Sequence, residues 1–458
     1  MEREMISGAG VHRLRAKRRA LYLSIEDLAT ATGLSARTIL RAEQGQSLNP
    51  DSLRLLCRYF NRSADELGLV ARRSPRRRPS EGPPGSPAGV SDGTKRREVT
   101  FGAAGGSLLV QDDWTPASSA SLVEMLEDEA QPGPATVRRL AHEWLLAPPP
   151  QIVELQHGRH IGERLIGRVE RRVQRLRRMD DFLGGADLHA LVEHELRATM
   201  QLLNEAAYGE ALGRRLLIVA GELCQLAGWV TDDAGRHHAA RRYYTLGIRA
   251  AHAAGDAPLA ANLISTLSYQ LATMGNPHDA TLLAHTAYAG ARTSASATTL
   301  ALLQERIAWA HARAGDLRQC ERALGEAERV FARRDPADDP PWVYWLSQDE
   351  LEIMAGRCYT ELHQPQRAEP LLRAVLARYD ETLAREVSLY STWLAEVYLQ
   401  MREIDQAATV ATRALILAAR VNSARGRARV SALRQQLQPF GAVKSVQDFE
   451  ELYVTLIK

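Results

Sequence analysis

The first seventy residues alternate short apolar clusters with polar residues of the kind that cap helices. Ser24, Ser35 and Ser63 each stand directly before such a cluster. A serine at this position accepts a hydrogen bond from the free amides of the first helical turn. With a further helix near residues 9–20, the pattern predicts five short helices. Their predicted core consists of Leu14, Leu28, Ala29, Ile39, Ala42, Leu53, Leu56 and Phe60.

Beyond residue 215, alanine and leucine at helical spacing recur with a long period. The segments AGRHHAA, MGNPHDA, AGDLRQC, LHQPQRA and MREIDQA align, and their last residues are 40, 40, 48 and 39 positions apart. The loop residue in each segment is preceded, seven positions earlier, by a small residue that would let two paired helices approach closely. These small residues are Gly228, Ser268, Ala308, Gly356 and Ala395.

The one longer interval coincides with the insertion RRDPADDPPW, residues 333–342. Because long surface loops cost little free energy, we expect this insertion to lengthen a surface loop without shifting the stack of helices. The pattern predicts a helical repeat domain over residues 215–458 that ends in a capping helix. Residues 117–214 are predicted to be helical pairs with a weaker repeat.

Residues 71–116 separate the two helical regions and are rich in arginine, proline, glycine and serine. Such a composition cannot bury a core, so the segment is predicted to be a flexible, disordered linker. Residues 1–70 form the predicted head domain. Because strand patterns are scarce, the predicted fold class is all-α: a five-helix head, a linker and an α-solenoid.

Charge is distributed unevenly, although the net charge of the chain is only +3. Residues 1–97 hold 19 basic and 10 acidic side chains, a net charge of +9, whereas the remainder holds 39 and 45, a net charge of −6. This asymmetry favours an anion-binding head on an acidic body. Lysine occupies only four of the 58 basic positions, which indicates a GC-rich genome.

The segment GLSARTILRAEQG, residues 33–45, has one polar and one apolar face. Gly33 joins it to the preceding helix, and a short glycine turn between two small helices is the helix-turn-helix signature. Residues 8–70 resemble the phage-repressor (XRE or Cro-like) helix-turn-helix domain. Leu40 lies on a side that is usually polar in such domains and is a candidate contact with a partner subunit.

This resemblance implies that the start of the third helix reads base edges, while the cap of the second helix and the following loop hold phosphates. An arginine can donate two hydrogen bonds to guanine in the major groove. The alternative is that the arginines only solvate a surface. The base-reading candidates are Ala36, Arg37 and Arg41, and the phosphate-binding candidates are Ser24, Ser35, Thr38 and Gln44.

The repeated unit of helix, tight turn and helix resembles the tetratricopeptide repeat, whose usual period is about 34 residues. The resemblance covers five repeats over residues 215–420. Stacked repeats form a solenoid whose inner wall is lined by the first helix of each pair. The residue after each small position is expected to face that wall: Trp229, Tyr269, Trp309, Arg357 and Glu396.

In such solenoids the inner wall binds extended peptides or partner segments. The three aromatic residues would form a platform, and Asn262 could pair with a peptide backbone. Alternatively, the aromatic side chains pack between the repeats. The carboxylates expected to make the groove acidic are Glu222, Asp232, Glu305 and Glu350.

This order of domains resembles the bacterial quorum-sensing regulators, and the arginine usage suggests an actinobacterial source. The resemblance implies a homodimer that binds a double-stranded DNA operator with two half-sites and responds to a signalling peptide or small ligand. The alternative function is a scaffold, in which the solenoid recruits a protein partner and the head only locates it on DNA.

Motifs of catalysis are absent from the sequence: it contains no GxxxxGK[ST], GxSxG or HExxH and no dinucleotide-binding fingerprint. The four cysteines form no CxxC pair. We therefore expect no enzymatic activity, cofactor, metal site or disulfide. Residues 95–110 carry twin arginines before an apolar run, but this run is far shorter than the roughly 18 residues of a membrane helix. The expected location is cytoplasmic.

Overall fold

The computed structural model of the chain is all-α, as predicted, and divides into two compact units. The N-terminal unit comprises residues 1–94 and the C-terminal unit residues 95–458. Most of the predicted linker, residues 71–108 and 110–112, lies outside the described part of the chain. The structure describes residues 14, 18, 25–43, 50–60, 62, 67, 69, 109, 113–127, 132–152, 158–180, 185–379, 383–420 and 424–456.

The N-terminal unit contains helices α1 (Ile25–Thr32), α2 (Ala36–Glu43) and α3 (Pro50–Phe60), and Leu14 and Arg18 are also helical. Its apolar residues meet in one cluster because each helix is amphipathic. Phe60 is only half-buried, and the side chain of Leu53 is outside the described part. The buried cluster contains Leu14, Leu28, Ala29, Ile39, Ala42, Leu56 and, in addition to the predicted set, Leu67.

The C-terminal unit is built from sixteen described α-helices, of which the first four precede the clear repeats. Very short parallel strands join its early segments: β1 (Asp113–Trp114) pairs with β2 (Gln151–Ile152), and β3 (Arg159–His160) pairs with β4 (Ala206–Ala207). The first four helices are α4 (Pro116–Glu127), α5 (Pro134–Leu146), α6 (Glu163–Asp180) and α7 (Gly185–Glu205).

Five helical pairs follow, and each pair consists of a first and a second helix joined by a tight turn. Two further helices close the chain, α18 (Ala424–Leu437) and α19 (Lys444–Leu456). The pairs are α8 (Glu210–Asp233) with α9 (His237–Ala254), α10 (Ala257–Thr273) with α11 (Pro277–Ala291), α12 (Ala297–Arg313) with α13 (Leu317–Phe331), α14 (Gln348–Glu361) with α15 (Pro365–Arg378), and α16 (Ala384–Gln400) with α17 (Ile404–Arg420).

The pairs stack as a solenoid. The first helices contact one another in succession from α8 through α16 to α18, and each second helix packs against its own first helix. The five turns share one backbone conformation, with a positive φ at a single residue. These residues are Gly235 (79°), Gly275 (86°), Gly315 (76°), His363 (54°) and Arg402 (65°).

Small residues lie where the helices of a pair approach, as the spacing predicted. A Cβ atom built on Gly228 would lie 2.3 Å from Cε1 of Tyr244, and one built on Gly356 would lie 2.7 Å from Cγ of Leu372. Ser268 instead donates a hydrogen bond of 2.7 Å to the carbonyl of Ala280. The sequence pattern therefore located close contacts between paired helices at Gly228, Ser268 and Gly356.

The insertion in the fourth interval differs from the expectation of a simple surface loop. Two short 3₁₀ helices, Pro336–Asp338 and Pro341–Val343, fold it back onto the solenoid. Residues 333–338 of the insertion are exposed, but its last residue, Trp342, is 2% exposed and belongs to the core. The expectation of a surface loop therefore holds for residues 333–341 and fails only at Trp342, the single large apolar residue of the insertion.

Candidate functional site

A tight turn separates α1 from α2 in the N-terminal unit. Gly33 has a φ of 72°, and the amide of Leu34 donates a hydrogen bond of 3.1 Å to the carbonyl of Ala29. A glycine in the left-handed conformation ends a helix in this way and lets the chain change direction. Ser35 then caps α2, because its Oγ accepts a hydrogen bond of 3.1 Å from the amide of Thr38.

The first turn of α2 carries the groups that suit an anion. The hydroxyls of Ser35 and Thr38 are 2.9 Å apart at the helix N-terminus, where free amides and the helix dipole favour negative charge. Arg41 is exposed one turn further on, and Leu40 beside it is 38% exposed.

The remaining predicted contacts of this unit are placed only in part. Ala36 and Arg37 belong to the first turn of α2, although their side chains are outside the described part of the chain. Ser24 and Gln44 lie outside the described residues altogether. The prediction that these residues contact a ligand stays a prediction.

A buried ion pair anchors the C-terminal end of α2. Arg18 donates hydrogen bonds from Nε and Nη2 to the carboxylate oxygens of Glu43, at 2.6 and 3.0 Å. The side chains of Arg18 and Glu43 are 10% and 0% exposed. Because a buried carboxylate needs a partner, this pair fixes α2 relative to the helical residue Arg18, which precedes α1 in the chain.

The C-terminal unit contains a cavity of about 450 Å³ on the inner wall of the solenoid. The first helices α8, α10, α12, α14 and α16 contribute to its lining, together with α6, α18 and the segment after the insertion. Its volume falls in the range of sites for small organic ligands. Its aromatic lining residues are Trp229, Tyr269, Tyr344, Trp345, Tyr379 and Tyr390.

The cavity collects six of the ten residues predicted for a ligand groove, whereas Asp232 and Glu396 are not part of its lining. Glu222 does not line it but accepts a hydrogen bond of 3.4 Å from Arg177, which does. Trp309 lies behind the wall, 2% exposed, with its ring centroid 6.0 Å from that of Tyr269. The six that line the cavity are Trp229, Asn262, Tyr269, Glu305, Glu350 and Arg357.

Two buried carboxyl groups in the lining have different surroundings. Glu350 accepts hydrogen bonds from the hydroxyls of Tyr379 and Tyr390, at 2.8 and 2.7 Å, and burial raises its pKa. Glu305 is 1% exposed, and its Oε1 has no hydrogen-bond partner within the described structure. Burial raises the pKa of Glu305 to about 8, so this side chain is mostly protonated at neutral pH.

Three arginines surround the ring of Tyr269. Arg357 Nη2 donates a hydrogen bond of 2.7 Å to the Tyr269 hydroxyl, and Arg425 donates a second one. The guanidinium of Arg306 lies 4.9 Å from the ring centroid. Burial alone would raise the pKa of Tyr269, but the charges of Arg357 and Arg425 outweigh it and lower the pKa to about 8.

One side of the cavity is closed by contacts between distant parts of the chain. Arg385 at the start of α16 donates to Asp180 at the end of α6, with a distance of 3.4 Å. The Tyr344 hydroxyl donates to the carbonyl of Arg177, at 3.3 Å. The segment after the insertion therefore helps to enclose the cavity.

Comparison with known families bears on the N-terminal unit. Residues 14–67 match the helix-turn-helix family model. The chain therefore carries a helix-turn-helix domain typical of DNA-binding transcriptional regulators. No curated protein sequence matches the chain. Among the described helices, none combines the length and the apolar character that crossing a membrane requires.

Sequence reasoning missed two features of these sites. In the helix-turn-helix domain it missed the pair of Arg18 and Glu43, because 25 residues separate them and neither forms a motif. In the cavity it missed Arg306 and Arg425. Arg306 directly follows the predicted Glu305, but Arg425 lies beyond the fifth repeat, so no repeat spacing could indicate it.

Proposed function

We propose that this chain is a sequence-specific transcriptional regulator whose C-terminal unit dimerises and senses a ligand. The match of the helix-turn-helix model to residues 14–67 carries the DNA-binding part. Arg37 and Arg41 read base edges in the major groove, while Ser35 and Thr38 hold phosphate at the N-terminus of α2. Ala36 lies close to the bases, and Ser24 and Gln44 contact the backbone.

Dimerisation follows from how such domains bind DNA. A single small helix-turn-helix domain reads only a short half-site, whereas two domains in one dimer read half-sites about one helical turn, or a multiple of it, apart. Leu40, exposed on α2, is a candidate contact between the two copies. Analytical ultracentrifugation of the full chain, together with footprinting on selected DNA, tests this. A monomer bound to one isolated half-site would rule it out.

Ligand sensing is supported by the cavity. Its volume of about 450 Å³ and its buried charged lining fit a small ligand or the end of a peptide better than a long partner segment. Trp229, Asn262, Tyr269, Glu305 and Arg357 would contact this ligand directly. Glu222 and Trp309 would act only by supporting the wall from behind.

The DNA-binding proposal is tested by selecting genomic fragments with the purified full chain and then measuring affinity for the recovered site. Arg37→Ala and Arg41→Ala should each weaken operator binding by about 10- to 100-fold, while binding to random DNA changes far less. Arg62→Ala is the matched control, since Arg62 is exposed in the same domain but lies outside α2. Unchanged operator selectivity in both α2 variants would refute the proposal.

A further inference from the structure

Three guanidinium groups in the cavity wall share very few acceptors. Arg306, Arg357 and Arg425 all line the cavity around Tyr269. Each guanidinium carries five N–H donors, and within the described structure their only hydrogen-bond acceptor is the Tyr269 hydroxyl. Arg306 donates to no described residue at all. We call these three side chains the arginine cluster.

Arg306 and Arg357 are buried and Arg425 is half-buried, which makes this shortage of acceptors costly. Arg306 and Arg357 are 7% and 6% exposed, and the Nε of each is buried without a partner in the described part of the chain. Burying a charged donor without an acceptor costs free energy, whereas an anion that accepts from two or three guanidinium groups would recover it.

The acidic side chains nearby do not supply such an anion. Glu350 is bonded by two tyrosine hydroxyls, and Asp180 accepts from Arg385. Glu305 lies next to Arg306 in the chain, but no described arginine donates to it. Asp233 and Glu386 also line the cavity, without a described hydrogen bond to the arginine cluster, and Glu386 accepts from Arg385.

The remaining lining is apolar and aromatic. Leu226, Ile353, Met354 and Leu389 face the cavity, and Trp229 is half-buried beside Arg425, whose guanidinium lies 5.5 Å from the indole ring. Such a wall offers contacts to a compact hydrocarbon or aromatic body. The ligand that fits is therefore acidic at one end and apolar over the rest.

We infer that the cavity binds a small organic anion whose carboxylate or phosphate group accepts hydrogen bonds from Arg306, Arg357 and Arg425. This inference names the ligand class for the sensing part of the proposed function. Until the anion arrives, the Tyr269 hydroxyl is the internal acceptor for Arg357 and Arg425. The bound anion also compensates the three positive charges, so they lower the pKa of Tyr269 less.

Tyr269 provides a spectroscopic signal for the test. The ultraviolet absorbance of ionised tyrosine is recorded against pH for the wild-type full chain and for Tyr269→Phe, and their difference isolates the titration of this residue. Without ligand, its midpoint should lie near pH 8. With saturating phenyl phosphate or 3-phenylpropionate it should rise by about one unit or more, because an anion compensates the arginines. The acidic residues of the cavity lining, including Glu305, Glu350 and Asp233, are the same in both proteins, so they do not account for the difference.

Affinity measurements by tryptophan fluorescence, without DNA, complete the test. Arg306→Gln should weaken 3-phenylpropionate binding about tenfold or more. Arg373→Gln is the matched control, because Arg373 is 68% exposed on α15 and pairs with Glu369. Tyr269→Phe should bind the anion more tightly than the wild type, since it removes the hydroxyl that competes for Arg357 and Arg425 and keeps the aromatic ring. This variant keeps the whole arginine cluster.

The outcomes are distinct. Equal binding of neutral 3-phenylpropionamide, an unmoved Tyr269 midpoint, or equal losses in Arg306→Gln and Arg373→Gln would each overturn the inference. If an acetylated dipeptide with a free carboxylate binds far more tightly than 3-phenylpropionate, the anion is a peptide terminus. If 3-phenylpropionate binds far more tightly than the dipeptide, the anion is a small acid. Anion binding that leaves operator affinity unchanged would uphold the site but refute sensing.

Discussion

Arg18 and Glu43 form a buried, two-pronged ion pair at the end of the helix proposed to enter DNA, with Nε of Arg18 2.6 Å from Oε1 of Glu43. An ion pair of this kind contributes little net stability compared with two apolar residues, but breaking it is expensive. Its role is therefore to fix the position of α2, since any displacement of the helix leaves a buried charge without its partner.

Glu43→Gln should destabilise the N-terminal unit by about 3–5 kcal/mol, because it removes the buried negative charge that pairs with Arg18. Hydrogen exchange of the α2 amides in the full chain measures this, and we expect exchange to accelerate a hundredfold or more. Glu326→Gln is the control, as its partner Arg329 is half exposed. That change should cost less than about 1 kcal/mol. Equal protection of α2 in the wild type and Glu43→Gln would contradict the anchoring role.

Gly315→Ala should lower the stability of the C-terminal unit by about 1–2 kcal/mol. Gly315 has a φ of 76° and open space around its Cα, so the whole cost arises from the backbone. Gly325→Ala, inside α13 and equally unobstructed, should instead stabilise by about 0.5–1 kcal/mol. Urea unfolding followed by tryptophan fluorescence compares the two. If both substitutions changed the free energy of unfolding in the same direction, the positive φ at Gly315 would not be the cause of the loss.

Glu305→Gln should change how stability depends on pH. The unfolded chain loses the Glu305 proton near pH 4.5, whereas the folded chain keeps it until about pH 8. The folded state thus binds more protons between these values, and stability falls as the pH rises through this window. Across this window the free energy of unfolding of the wild type should fall by about a few kcal/mol. Glu305→Gln should not show this fall. Urea midpoints across the window measure the difference, and parallel pH profiles would contradict the prediction.

Trp342→Ala should destabilise the C-terminal unit by about 3–5 kcal/mol, because the side chain is only 2% exposed. Trp345→Ala, three positions later and 37% exposed, should cost much less. The comparison uses thermal unfolding of both full-length variants. Near-equal losses would show that the insertion packs differently from the structure described above.

Local features of the sequence predicted much of this fold. The spacing between Gly228 and Gly235 repeats because every pair needs one tight turn and one close contact, and both depend on residues near each other in the chain. The cap at Ser35 was predicted for the same reason. Neighbouring residues alone determine these features, so periodicity and residue type were sufficient.

Features that depend on the closed three-dimensional arrangement were not predictable. Trp309 and Tyr269 occupy equivalent repeat positions, yet only Tyr269 lines the cavity, because Trp393 packs edge-on against Trp309 with the ring centroids 5.7 Å apart. Trp342 was assigned to a surface loop because the insertion before it consists mainly of charged residues and proline. Arg425 became part of the cavity only through the curvature of the whole stack, which no single repeat encodes.

The contact between Tyr269 and Arg425 spans 156 residues of chain. During synthesis, the third and fourth helical pairs can stack as soon as they leave the ribosome, but the arginine cluster is incomplete until α18 has emerged and docked. A premature stop codon after α17 would therefore yield a protein that lacks Arg425, and with it one of the three guanidinium groups of the proposed anion site.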